Sequence, residues 1–588
     1  MDINLTKKKI EGIIDTLRFS IKRIYKTKTK YILFNTLIKF IVAGNGILYI
    51  FYWKNILDAV TYWNGILPTI KWASIMLAAF ILENIFKSWW KYIGKPIKEA
   101  QIENLIKCEI FNKIQNVGYI NYSRPDFLDE YVYAQNKYVN ALISLVESLG
   151  NIITSIIVLI TLILITHKIN LIIFIFIFIV VILTVSINIH ISKVELQNTK
   201  EKNKYDRETQ AIDRSFNSPE FALDIKFYNI AKTLIEKRKK ATQKKQLTQK
   251  QNGKKMSLLS FLELTILNLY EYILVIISTI ICIKNKNKIG DFSLIVNAIW
   301  SITNKITNIF DEIPNLYLSI GIINEFRKFD KKIPERLDYN KSSSYELESE
   351  IAIDNMCFSY EGNKNVLYDI TLNIRNGEKI AIVGKNGSGK STLLKLILGL
   401  YKCNQGTIKI NGVLIEDISP EIATKEVGVC FQQYHLLPIK LFEFLGLEIS
   451  DASNIRKALN TTGFLKVMED KNINLESELT KEFDDDGVLL SGGELQKLIL
   501  SRAIIHSKNL LFLDEPTSAM DLISERSFYE GFRTNLSEHT IIFTTHFADI
   551  GHYADRIIVM DSGHIVEIGT YDELMQKKGK LFSLLNEK

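Results

Sequence analysis

An α-helical bundle of six membrane-length runs over residues 1–330, a linker over 331–344 and an α/β domain over 345–588 make up the architecture this sequence predicts. Three observations lead to it. Six apolar runs in the first half are each long enough for a membrane span of roughly 20 residues. A charged, serine-rich stretch, KKIPERLDYNKSSS, then breaks the hydrophobic pattern and marks a boundary. Beyond it, short β-branched runs alternate with helix-periodic segments around a glycine-rich loop, the pattern of an α/β domain.

The opening segment, residues 5–29, repeats Ile10, Ile13, Ile14, Leu17 and Ile21 at helical spacing among basic residues. It fits either a helix lying along the inner membrane surface or a plain soluble helix. The apolar runs follow at 31–53, 67–89, 140–166, 169–191, 259–283 and 292–313. The fourth, INLIIFIFIFIVVILTVSINI, carries no charge, and its length argues for a helix although Ile and Phe alternate in it. At about −0.3 to −0.6 kcal/mol per Leu, Ile, Phe or Val, it inserts unaided. The long connectors, 91–139 and 192–258, hold most of the Lys and Arg, for example Lys237-Arg238-Lys239-Lys240. That bias puts both connectors and both termini in the cytoplasm of a multi-pass protein. The lysine-rich turn from Lys284 to Lys288 runs against the bias locally.

A net charge of +8 suits nucleic acid in principle, but the lysines cluster beside apolar runs and six spans exclude that partner. The five cysteines show no metal-ligand spacing and read as buried thiols. The first ten residues lack the short apolar core and small-residue cleavage site of a signal peptide.

Polar residues inside the runs fall on single helix faces. In the sixth run Asn297, Ser301, Asn304, Asn308, Asp311 and Asn315 recur every three or four residues, as do Ser144, Glu147, Asn151 and Ser155 in the third. Glu263, Glu271, Lys39, Asn45 and Glu83 lie in other runs. An ionised group at mid-bilayer costs about 2.5–3.5 kcal/mol, so these faces avoid lipid. They either line a water-filled cavity or hydrogen-bond helix to helix. Glu147, Asn151, Asn297, Asn304, Asn308 and Asp311 are the cavity candidates. Pro314 predicts a kink near the end of the sixth run. Two connector stretches, Ser123-Arg124-Pro125-Asp126-Phe127-Leu128-Asp129 and Ser218-Pro219-Glu220-Phe221-Ala222-Leu223-Asp224, read as short docking helices or as surface turns.

In the second half, the strand Ile380 to Val383 leads into Gly384-Lys385-Asn386-Gly387-Ser388-Gly389-Lys390-Ser391 and then a helix, a full P-loop match in its required context. The glycines let successive backbone N–H groups face phosphate oxygens, and the helix start adds partial positive charge. Lys390 would reach the β- and γ-phosphates, and the Ser391 hydroxyl would ligate Mg²⁺. The domain is therefore a cytoplasmic α/β P-loop nucleotide-binding domain. The strand Leu510-Leu511-Phe512-Leu513 ends in two carboxylates: Asp514, suited to Mg²⁺, and Glu515, suited to take a proton from attacking water. Gln432 ends another strand and suits a γ-phosphate or Mg²⁺ sensor. His546 follows a third, and alone reads as a surface histidine. Ser491-Gly492-Gly493-Glu494 opens a further helix and makes a second anion site. A single ATP does not readily use both sites within one fold, so two such domains are expected to pair head to tail.

Together these residues resemble the ATP-binding cassette (ABC) family, specifically its exporters. The matching parts are the P-loop, the signature 490–494, the strand 510–515, the Gln432 loop, Ser518-Ala519-Met520-Asp521 and His546. Six spans followed by one cassette resemble a half-transporter, so the resemblance covers nearly the whole chain. It implies that Tyr360 stacks on adenine, that Thr392 joins the ATP-binding set, and that His546 serves catalysis beside Glu515. It also implies that Ser491, Gly492, Gly493 and Glu494 meet the γ-phosphate of the opposite subunit, that Asp521 communicates between sites, and that the Pro125 and Pro219 stretches are coupling helices. Glu494 stands where Gln is commoner, Met520 where Leu is usual, and Thr545-His546-Phe547 departs from Ser-His-Arg; no catalytic group is lost.

The implied cofactors are ATP and Mg²⁺. The implied partners are membrane lipid and a second half-transporter, in a homodimer because Glu515 and the signature are both intact, with a heterodimer still open. The implied function is ATP-driven export across the bacterial cell membrane by alternating access. The stretch around Pro125 resembles exporters of small modified antimicrobial peptides, which implies a peptide cargo. The acidic candidates Glu147, Glu263, Glu271 and Asp311, set against Lys39 and Lys305, favour a cationic or polar one. Multidrug or lipid export is the alternative, and import on the same fold a third reading.

Overall fold

The computed structural model describes residues 2–61, 66–115, 117–167, parts of 183–218, 221–284, 288–333, 350–360, 365–418, 427–446, 452–481, 485–546 and 553–586. The chain divides into two compact units, residues 1–117 with 125–335 and residues 118–124 with 336–588.

The first unit is helical. Its described helices are α1 (Asp2–Lys26), α2 (Tyr31–Thr61), α3 (Ile66–Trp89), α4 (Lys95–Ile114), α5 (Pro125–His167), α6 (Ala222–Phe227), α7 (Ala231–Lys284) and α8 (Ile289–Lys332). A π turn, Trp90–Gly94, joins α3 to α4 without a break. Among the described residues, four stretches are long and apolar enough to cross a membrane: within α2, from α3 into α4, within α5 and within α7. Five of the six runs read from sequence lie inside described helices, the sixth within the 44-residue α8. Its own polar stripe keeps that run out of the apolar set. The run at 169–191 lies almost wholly outside the described residues, as do Pro219, Glu220 and most of the linker. Pro314 is buried within α8, which continues to Lys332.

Helix α1 packs on α8. Ile24 is buried, Thr16 donates to Asn324 Oδ1 at 2.7 Å, and Arg327 pairs with Asp15 at 2.7 Å. The Pro125 stretch is not a separate helix. Proline suits a first helical turn, where its missing N–H has no partner to lose, so residue 125 opens the 43-residue α5. The short turn lies just before it, as a 3₁₀ segment Tyr119–Ser123 that groups with the second unit.

The second unit holds two sheets. The strands β1 (Ile351–Phe358), β2 (Leu367–Ile374), β4 (Gln405–Ile410) and β5 (Val413–Leu414) form a four-stranded antiparallel sheet in the order β2-β1-β4-β5. The strands β3 (Lys379–Val383), β6 (Val427–Cys430), β7 (Leu510–Asp514), β8 (Thr540–Thr545), β9 (Arg556–Asp561) and β10 (His564–Gly569) form a six-stranded sheet in the order β10-β9-β3-β8-β7-β6, parallel except for the β9–β10 edge. The parallel strands β3 (Lys379–Val383), β7 (Leu510–Asp514) and β8 (Thr540–Thr545) are buried along their whole length. That explains why they read as continuous apolar runs rather than alternating ones. Helix α9 (Lys390–Ile397) follows β3, and α10 (Gly492–His506) packs on β6 (Val427–Cys430).

Gly428 of β6 marks that packing. A Cβ there would lie 2.0 Å from the Ala503 carbonyl oxygen of α10. Gly428→Ala is expected to destabilise the second unit by about 1–3 kcal/mol through overpacking. Thermal unfolding of the full chain checks this, at about 2–4 °C per kcal/mol for a unit of this size.

Candidate functional site

The sequence-predicted nucleotide residues gather at the carboxyl ends of the parallel strands, where open α/β sheets bind ligands. The loop 384–389 joins β3 to α9. Gly389 sits at φ +103°, and a Cβ on it would come within 2.6 Å of Leu367 Cδ2, so the turn requires glycine. The Lys390 Nζ folds onto the loop, donating to the carbonyls of Gly384 at 2.8 Å and Lys385 at 3.2 Å. Burial pushes the Lys390 ammonium below its ordinary value, while the charges of Glu515 and Asp514 oppose that shift. Within this loop the Ser388 Oγ is buried and has no hydrogen-bond partner among the described residues. Tyr360 donates to or accepts from Thr392 Oγ1 at 3.1 Å and meets Tyr401 edge to face, with centroids 5.4 Å apart.

From the neighbouring strands, Ser391 Oγ donates to Asp514 Oδ1 at 3.0 Å, and Thr544 donates to the same oxygen at 2.5 Å. Asp514 is 3% exposed. Gln432 Nε2 donates to Glu515 Oε2 at 2.8 Å, and His546 Nδ1 lies 3.7 Å from Glu515 Oε1. Glu515 adopts φ +49°, a left-handed backbone rare outside glycine. The geometry thus brings Ser391, Gln432, Asp514, Glu515 and His546 into one cluster. Its donors are the hydroxyl of Ser391, the carboxylate of Asp514 and the amide oxygen of Gln432. Such an oxygen set fits Mg²⁺ held partly by substrate phosphates and water rather than by an all-protein cage. No group of three or more His, Cys, Asp or Glu side chains suited to a metal occurs among the described residues.

The signature residues form a separate set. Ser491 caps α10: its Oγ accepts from Glu494 N–H at 3.4 Å, and Glu494 Oε2 accepts from Ser491 N–H at 2.7 Å, a reciprocal capping box. Glu494 also pairs with Lys471 at 2.6 Å. Ser491 and Gly492 are exposed, and a Cβ on Gly493 would meet the Ala519 carbonyl at 2.9 Å. Asp521 caps the helix α11 (Leu522–Asn535), accepting from the N–H groups of Ile523 and Ser524.

In the first unit, a cavity of about 440 Å³ lies between α5 and α8. Glu147 and Asn151 line it; Asn297, Asn304, Asn308 and Asp311 do not. Glu147 pairs with Lys95 and accepts from Tyr31, so part of its role is helix-to-helix bonding. Asn297 bonds back to Ser293 on its own helix. Asn304, Asn308 and Asp311 are exposed, continuing the stripe beyond the cavity.

Residues 367–518 match the family described as ABC transporter. The second unit therefore contains an ABC transporter domain. Curated relatives include the subtilin transport ATP-binding protein SpaT of Bacillus subtilis, 29% identical over 61% of this chain and 58% of that protein. The nisin transport ATP-binding protein NisT of Lactococcus lactis subsp. lactis is 30% identical over 53% of each chain. The ATP-dependent lipid A-core flippase of Haemophilus ducreyi is 33% identical over 39% of each. The chain thus spans about two-fifths to three-fifths of the length of these relatives. Among solved structures, a bacterial Atm1-family ABC exporter with ATP bound matches at TM-score 0.79, covering 95% of this chain and 98% of that one at 18% identity. The chain has the ABC exporter fold.

Within the ABC domain, the Glu494 departure is explained locally, because the Lys471 ammonium holds its carboxyl below the usual carboxylate range. A folded value below the unfolded one adds stability above the ordinary carboxylate range, and loses it as pH falls through the depressed value. Glu494→Gln keeps the capping box and loses only the ion pair. It is expected to cost under about 1 kcal/mol at pH 7, since the pair is partly exposed, with the difference vanishing in acid. Melting curves of the two proteins across pH check this.

Sequence reasoning missed three participants. Glu312 lines the cavity and accepts from Ser148 at 2.6 Å and from Asn151. Its signal was its spacing, four residues after Asn308 and three before Asn315. Lys471 is 23 residues from its partner and gave no local sign. Gln496 is a polar residue at an apolar-periodic position of α10, and 1% exposed.

Proposed function

We propose that this chain is one half of an ATP-driven exporter of the bacterial cell membrane, working as a homodimer by alternating access. One observation carries the reading. The hydrogen-bonded cluster Ser391–Asp514 and Gln432–Glu515 lies beside the P-loop of an ABC domain, in a chain whose described residues also include four membrane-length helical stretches.

The P-loop N–H groups and Lys390 grip the β- and γ-phosphates, and Tyr360 stacks on the adenine. Ser391 and Asp514, with Gln432, would hold Mg²⁺, which when bound neutralises charge on the β- and γ-phosphate oxygens. Glu515 takes the proton of the attacking water, and His546 steadies that corner of the site. Ser491 and Gly493 of a second copy complete the pocket at the γ-phosphate, and Asp521 links the two pockets. ATP drives the cycle only because it binds the closed pair better than the open one.

The cargo we favour is a small antimicrobial peptide. Two relatives are named for the transport of subtilin and of nisin, and the stretch around Pro125 resembles exporters of small modified antimicrobial peptides. Lipid or multidrug export is the second reading, supported by the lipid A-core flippase and by a putative multidrug export protein of Bacillus subtilis at 29% identity over 55% of this chain. The test is ATPase stimulation in reconstituted vesicles by peptides, lipids and drugs in turn. Stimulation by a lipid or a drug and by no peptide overturns the peptide reading.

A further inference from the structure

We propose that Gln496 is a positioning residue for Glu515, tying the carboxylate to the helix that carries the signature. The inference rests on the ATPase reading above and extends it to a residue outside the motifs.

Gln496 is buried, and its amide is used in both directions. Its Oε1 accepts from Ala519 N–H at 2.8 Å, and its Nε2 donates to the Glu515 carbonyl and to Ser518 Oγ, each at 3.3 Å. The partners fix which end is which, because an N–H needs an acceptor and a carbonyl needs a donor. Glu515 is the residue at φ +49°. Such a conformation is strained and persists only where the surroundings over-determine it. Two contacts do so. Thr544 Oγ1 accepts from Glu515 N–H at 3.0 Å on one side, and Gln496 holds the carbonyl on the other. Thr544 also bonds Asp514, so one side of the strained residue is tied to the strand end. The other side is tied to α10, five residues after Ser491. The close approach of Gly493 to the Ala519 carbonyl puts the first turn of α10 against the same 515–519 segment. A displacement of α10 therefore reaches the backbone of Glu515 through one side chain.

The experiment uses the full chain in reconstituted vesicles, with wild type and Glu515→Gln as references. Gln496→Leu removes all three hydrogen bonds at similar size. It is expected to lower kcat about tenfold or more while KM for MgATP stays within about twofold, the split for a contact that acts in the transition state. Gln496→Glu keeps the acceptor for Ala519 but offers Glu515 a donor only when its introduced carboxyl is protonated. Its activity relative to wild type is expected to rise as pH falls, since burial raises a carboxyl pKa. A kcat for Gln496→Leu within about twofold of wild type overturns the assignment. So does a relative activity of Gln496→Glu that is flat with pH, and that variant decides the question if Gln496→Leu fails to fold. Equal turnover in wild type and Glu515→Gln would instead remove Glu515 from the role of base, and this assignment with it, while absence of hydrolysis in wild type would overturn the ATPase reading.

Discussion

Glu515→Gln is expected to lower steady ATP hydrolysis by roughly 10²–10⁴-fold, the usual worth of a positioned general base, while nucleotide binding survives. The amide is nearly isosteric, and the residue is held by its backbone: by Thr544 at its N–H and by Gln496 at its carbonyl. The substitution therefore leaves φ and position unchanged and removes only basicity. The P-loop contacts lie on other residues, so affinity for ATP stays close to wild type. Filter binding of labelled ATP beside a phosphate-release assay separates the two effects. Turnover near the wild-type rate would mean that another group, or water alone, takes the proton.

Mixing two inactive variants is expected to restore activity. Lys390→Ala removes the ammonium proposed to grip phosphate, and Ser491→Arg blocks the signature helix start. Each alone ruins both pockets of a symmetric pair. In a mixed pair, one pocket receives both defects and the other receives none. Random pairing then returns roughly a quarter of wild-type hydrolysis, if the two pockets work independently in a two-fold dimer. If each chain instead housed a whole pocket, mixing would return nothing. Within one chain, Ser391 of the P-loop bonds to Asp514, while Ser491 bonds to Glu494 and Glu494 to Lys471. The measurement is ATPase activity of co-reconstituted variants, with each variant alone as the baseline.

Local patterns were readable from the chain and distant pairings were not. The P-loop declares itself because the strand, the glycines and the helix start are contiguous, so one stretch of residues specifies the geometry. Asp514 and Glu515 were readable because a buried parallel strand is apolar until its carboxyl end. His546 alone was ambiguous; its approach to Glu515 depends on β7 and β8 being neighbours, which no local pattern states. The stripe on α8 was visible as a period, but period gives a face and not its surroundings. Glu312, at stripe spacing from Asn308 and Asn315 and next to Asp311, is the member that meets Asn151 across the cavity. The Pro125 stretch misled for a physical reason: proline at a first helical position marks a start equally well for a short helix and for a 43-residue one.

The 3₁₀ segment Tyr119–Ser123 carries one further consequence. Tyr119 packs edge to face on Tyr401 with centroids 5.6 Å apart, Lys395 Nζ lies 6.0 Å from its ring centre, and Ile120 sits against the core beneath β1 and β2. Severing the polypeptide at the linker would thus pull a plug from the cassette and leave a greasy socket beside Tyr360 and Tyr401. A recombinant cassette beginning at residue 345 would be born with a hole that the intact protein never shows, and its clumping would report the missing seven residues, not a fault in its own folding.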